Sequence, residues 1–98
     1  MGVLHVLGQP PSSREAWRHC RQRMVARDAL LLVADAVYAI DQGALLEPFQ
    51  VKGVSLYALL PDMLARGVRP DEPSRRVGWV DFEEFVDLTV KYQRVLMW

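Results

Sequence analysis

The side chains able to do chemistry are few and scattered. Cys20 is the only cysteine. Nucleophilic use would need an exposed thiolate beside positive neighbours, because an unperturbed thiol with a pKa near about 8.5 is mostly protonated at neutral pH. On a helix, its neighbours three and four residues away are Ala16, Trp17, Arg23 and Met24. Burial among the three apolar groups raises a thiol pKa, and the one guanidinium lowers it. Free cysteine is among the most often buried residue types, so a structural Cys20 is the preferred reading. His5 stands alone in the apolar stretch Val3–Leu7, with no second metal-type residue at useful spacing, and is read as a hydrogen-bonded core or rim group. Asp35 and Tyr38 follow the most apolar run of the chain and would flank any crevice at the carboxyl end of that strand, as a cap and a packed aromatic. Arg14, Arg18, Arg21, Arg23 and Arg27 crowd one segment. They are read as a solvated basic face and not a phosphate site, since charges elsewhere cancel the long-range field. Gly8-Gln9-Pro10-Pro11 is no glycine-rich phosphate loop, so a dinucleotide would lack its backbone cradle and no cofactor is expected.

The elements that position these residues follow from the hydrophobic pattern. Between Asp28 and Asp35 run Ala29, Leu30, Leu31, Leu32, Val33 and Ala34, too short for a membrane span and without the alternation of a half-exposed strand. Both faces of such a strand must be covered, which predicts an open, mainly parallel sheet of four or five strands with helices on both sides. Val3–Leu7 is a first strand, residues 54–59 a third and Val77–Val80 a fourth. Ser12-Ser13-Arg14-Glu15 reads as a capping box opening a helix over 13–27, with Ala16, Trp17, Cys20 and Met24 as its buried stripe. Asp35 should cap a short helix over 36–40, and a weak helical segment over 44–47 should be cut by Pro48. Pro61 opens and Gly67 closes another short helix, and 69–76 is a surface loop. Asp81 and Glu84 repeat the capping box before a helix to about Tyr92, with Phe82, Phe85, Val86, Thr89 and Val90 on one face. The closing Val95-Leu96-Met97-Trp98 must be covered, as an added edge strand or by a partner.

The whole chain bounds the answer further. Ninety-eight residues with 51% hydrophobic content suit one domain over 1–98 with one core. Twelve basic and twelve acidic residues give no overall electrostatic footprint for nucleic acid. The apolar start is too short for a signal peptide, and a cytoplasmic chain without a membrane segment is expected.

Three stretches, the opening "LHVL", the central "DALLLVADAVYAI" and the pair "LYALLPDMLARGV" and "VDFEEFVDLTVKYQRVLMW", resemble the TusB/DsrH family of sulfur-relay subunits. The resemblance covers most of the chain and departs from the pattern at Ala36, where glycine is common. It implies a Rossmann-like, DsrE-type α/β fold. It also implies membership of a cytoplasmic heterohexamer with sister DsrE-like subunits, one TusC/DsrF-like and one TusD/DsrE-like. In one branch such a complex passes persulfide sulfur to a downstream acceptor protein and on toward 2-thiouridine at the wobble position of tRNA. In the other it serves sulfur oxidation. The main sulfur-accepting cysteine of the family belongs to a sister subunit, which makes this chain mainly a scaffold. Cys20 is the candidate persulfide site if the chain is itself a carrier, and no other catalytic residue is expected. The expected interface is Phe85, Leu96, Met97 and Trp98, with Trp98 its anchor, because large aromatics dominate interface energetics.

Overall fold

The computed structural model describes residues 2–69 and 77–98. Apart from Arg69, the surface loop expected over 69–76 lies outside them. Five parallel strands, β1 (Val3–Leu7), β2 (Ala29–Leu32), β3 (Ser55–Leu59), β4 (Val77–Val80) and β5 (Arg94–Met97), form one sheet in the order β4-β3-β2-β1-β5. They alternate with α1 (Arg14–Arg23), a 3-10 segment (Ala34–Asp41), α2 (Gly43–Val51), α3 (Leu60–Ala65) and α4 (Phe82–Lys91). The expected α/β class with helices on both faces is what forms. The terminal apolar run takes the place of an edge strand on β1.

Coverage of the two faces is unequal. Leu30, Leu32 and Leu56 pack under Trp17 and Cys20 of α1, Met24 just past its end, Phe49 of α2 and Met63 of α3. Leu4, Val6 and Leu31 on the opposite face meet α4 through Leu88 and Tyr92. One helix therefore covers what three helices and the 3-10 segment cover behind it. The four β2 residues are fully buried, as the unbroken apolar run requires.

Several local expectations give way to tertiary contacts. The Ser12 capping box does not form: Ser13 is the N-cap of α1 and makes no side-chain cap bond. The Trp17 indole N–H donates to the carbonyls of Gln9 and Pro10 and pins the β1–α1 loop, while Glu15 turns to Arg18. Helix α1 stops at Arg23 and not at Arg27, because the Lys52 ammonium donates to the carbonyls of Arg21 and Met24, and Asp28 takes the Val25 amide. Arg27 then adopts φ 78°. The 3-10 segment is longer than the predicted 36–40 and is not capped by Asp35. Ala34 enters it at φ 50°, and its amide donates to Asp62 Oδ2 at 2.6 Å. Pro48 does not cut the chain: α2 runs through it. The lost backbone bond and ring clash cost about 3 kcal/mol, which burial of Leu46 and Phe49, at about 1.5–3 kcal/mol each, offsets. Gly67, at φ 69°, closes α3 as expected.

Helix α4 carries the predicted capping box, with Glu84 N–H donating to Asp81 Oδ1 and the Asp81 amide to Glu84 Oε1. Its single predicted apolar face divides in two. Phe85, Leu88 and Tyr92 turn to the sheet, whereas Phe82, Val86 and Val90 are 59%, 57% and 80% exposed.

Candidate functional site

Cys20 lies fully buried between α1 and the sheet, among Trp17, Met24 and the β2 leucines. Burial pushes its thiol from an ordinary 9.0 up to about 12. That leaves roughly one thiolate in 10⁵ at neutral pH. Arg23, the one group able to lower the value, is exposed on the outer side of the helix. The side chain is placed as packing and not as a nucleophile.

His5 proves to be the middle of a buried chain of three residues. β1 and β5 run side by side with His5 opposite Leu96, which brings Trp98 over the imidazole with ring centroids 6.1 Å apart and 20° between planes. The indole Nε1–H, which can only donate, gives its proton to His5 Nδ1 at 3.0 Å. The imidazole hydrogen therefore sits on Nε2 and is donated to Asp28 Oδ2 at 3.1 Å. Asp28 also accepts the amides of Val3 and Val25. Burial opposes ionisation of Asp28, but the amides of Val3 and Val25 together with His5 outweigh it and hold the carboxyl below its usual range. Gly2 permits this approach, since a Cβ there would lie 2.6 Å from the Arg27 carbonyl oxygen. An Asp-His pair suggests base catalysis, but both imidazole nitrogens are engaged and His5 is 1% exposed. The chain is a clamp that fastens β5 and the start of β2 to β1.

At the carboxyl ends of β2 and β3, Asp35 accepts from Arg66 Nε at 2.8 Å, and Asp62 accepts the Ala34 amide. The Asp35 bond, opposed by slight desolvation, holds the Arg66 guanidinium above its ordinary pKa. Tyr38 is nearby and 43% exposed. These groups satisfy one another and fix the turn out of β2. Among the described residues no cluster of three His, Cys, Asp or Glu side chains could hold a metal ion, and no helix is long and apolar enough to cross a membrane.

What remains open is a surface. Among the described residues strand β5 pairs only with β1, which leaves its outer edge without a strand partner there. Val95 and Met97, on the α4 side by register with Leu4 and Val6, are 37% and 72% exposed. Of the expected interface residues, Met97 is exposed, Leu96 and Phe85 are half-buried, and Trp98 is half-buried against its own sheet. The outward row Phe82, Val86 and Val90 lies on the same side of the sheet as Met97. The sequence signal for it was there, but period alone cannot say which apolar row of a two-faced helix turns inward.

This architecture is similar to that of the crystal structure of the ychN protein from E. coli, with a TM-score of 0.78, covering 100% of this chain and 99% of that one at 18% identity, a likeness of fold. In sequence, the chain is 31% identical over 96 residues to Protein TusB of Buchnera aphidicola subsp. Baizongia pistaciae, covering 98% of this chain and 100% of the relative. It is 39% identical to Protein TusB of Pectobacterium parmentieri over 72 residues, which are 72% of this chain and 75% of that one. Residues 9–95 match the family model described as DsrH like protein. With nearly its whole length matched and the parallel five-stranded sheet in place, the chain belongs to the DsrH-like family that includes the TusB proteins.

Proposed function

We propose that this chain, over residues 1–98, is the TusB-type subunit of a cytoplasmic heterohexameric sulfur relay. It contributes scaffold and interface and not the sulfur-carrying thiol. Its partners are a TusC/DsrF-like and a TusD/DsrE-like sister subunit, and the sulfur moves as a persulfide through an acceptor protein toward 2-thiolation of the tRNA wobble uridine. The observation that carries this reading is the buried Cys20, whose thiol is pushed up to about 12. A group that is neither ionised nor accessible cannot attack a donor persulfide. The two-faced α4 and the open β5 edge support an assembling role, since contiguous exposed apolar surface marks interaction sites. Met97 with Phe82, Val86 and Val90 offers the exposed part of the interface, and Phe85, Leu96 and Trp98 stiffen it from behind. The relatives' TusB name favours the tRNA branch over sulfur oxidation.

Native mass spectrometry of the tagged chain recovered from its source cells, followed by denaturing mass analysis of each component, tests the proposal. A heterohexamer with extra sulfur on a sister chain alone is expected. A monomer or homo-oligomer would overturn the scaffold role, and an added sulfur on Cys20 would make this chain a carrier.

A further inference from the structure

We propose that the cleft between α1 and the start of α2 is a docking site for an acidic segment of a protein partner, gripped by Arg14, Arg18 and Arg21. The cleft has a volume of about 730 Å³, and these three arginines line it with Trp17, Gln42 and Leu45, while no carboxylate does. Spacing of four and three residues puts the guanidiniums in one row, about 10 Å long at 1.5 Å rise per residue. Their charge is unspent. Arg21 is half-buried, and neither it nor Arg14 has a side-chain hydrogen bond or ion pair among the described residues. Among the described residues Arg18 pairs with Glu15 alone, in an exposed pair that a competing carboxylate can replace at little cost.

The neutral total charge hides this row. The exposed acids Asp81, Glu83, Glu84 and Asp87 lie on or at the start of α4, on the far side of the sheet; Glu15, Asp41 and Glu47 are exposed on the α1 side, but none of them lines the cleft. The shortest dimension of the molecule is 21 Å, against a Debye length of about 8 Å at physiological salt, so the α4 acids do not cancel the arginine row.

The cleft favours an acidic peptide over other anions. Carboxylates on alternate residues of an extended strand are about 6.6 Å apart, close to the steps of about 6 and 4.5 Å along the arginine row. Guanidinium forks pair with carboxylates in two parallel bonds. A single-stranded nucleic acid would want an aromatic stacking platform, but Trp17 is 3% exposed and its indole N–H is spent on Gln9 and Pro10. Free phosphate would want a cradle of backbone amides; at this cleft Pro11 has none, and the Ser13 and Arg14 amides are donated to the carbonyls of Pro10 and Ser12.

The site stands apart from the relay reading, because its test uses this chain alone. Fluorescence anisotropy at physiological salt would follow a labelled peptide of alternating Glu and Ser against its Gln counterpart. The wild type should bind the Glu peptide, and Arg14→Gln/Arg18→Gln/Arg21→Gln should weaken it by roughly tenfold or more. Arg23→Gln/Arg27→Gln, on the same segment but outside the cleft, should stay within about twofold. Circular dichroism melts check folding. Should the triple variant not fold, each single substitution is measured instead and should weaken binding by about two- to threefold. No binding of the Glu peptide, equal loss in the Arg23/Arg27 pair, tighter binding of a single-stranded RNA of equal charge, or displacement by inorganic phosphate at matched ionic strength would each overturn the proposal.

Discussion

Asp28 holds three donors at once, the amides of Val3 and Val25 and the imidazole of His5, from a position 3% exposed. Asp28→Ala would strand all three, and each buried unsatisfied group costs about 1–3 kcal/mol. A loss of about 3 kcal/mol or more is expected in urea unfolding. Because the folded carboxyl is held below its ordinary value of 3.8, the stability it contributes is complete above that pH and is lost as pH falls through the folded value. Wild type should therefore unfold more steeply in acid than Asp28→Asn. Cys20 acts at the other end of the scale. The unfolded thiol ionises near 9.0 and the folded one near 12, so stability falls as pH rises across that window, and Cys20→Ala should flatten the fall in alkaline melts. A thiol reagent should label native protein at least about a hundredfold more slowly than unfolded protein. Rapid native labelling would contradict the burial. Neither the clamp nor its tautomer was legible in the sequence. His5 and Asp28 are 23 residues apart and Trp98 is 93 from His5, and only the parallel register of β1 with β2 and β5 brings them together.

At the level of elements, the strands were the most legible, because four- to six-residue apolar runs have few alternatives in a chain this size. The capping box of α4 was equally plain, and Asp81→Ala should cost about 1 kcal/mol, seen as a lower midpoint in chemical denaturation. The same motif at Ser12 failed because Trp17 anchors the loop from outside the four-residue window. Pro48 was misleading for a related reason: a local rule yields where the helix on both sides of the proline buries large side chains. Trp98→Phe keeps the ring over His5 and removes the donor, and should weaken the docking of β5 by about 1–2 kcal/mol. Faster amide exchange confined to β5 and the adjoining edge of β1 is the measurement. Unchanged exchange there would mean that backbone pairing alone holds the strand.

For the whole molecule, the class of fold was readable from coverage of β2, but the division of labour between the two faces was not. It depends on which row of α4 turns inward and on how charges distribute once α1 and α4 lie on opposite sides. Surface substitutions away from special features usually change stability by no more than about 0.5 kcal/mol. Val86→Glu/Val90→Glu should therefore leave the melting temperature nearly unchanged while releasing the chain from its complex on size-exclusion chromatography. Retention of the native size would remove this row from the interface. The strand order also sets a timetable. β1 precedes β2, β3 and β4 along the chain but receives its second neighbour only from β5, which follows them all. During that interval one edge of a buried central strand stands open, and non-local parallel pairing is slow to form. The chain is thus most vulnerable to wrong strand pairing in the interval before β5 docks and Trp98 reaches His5.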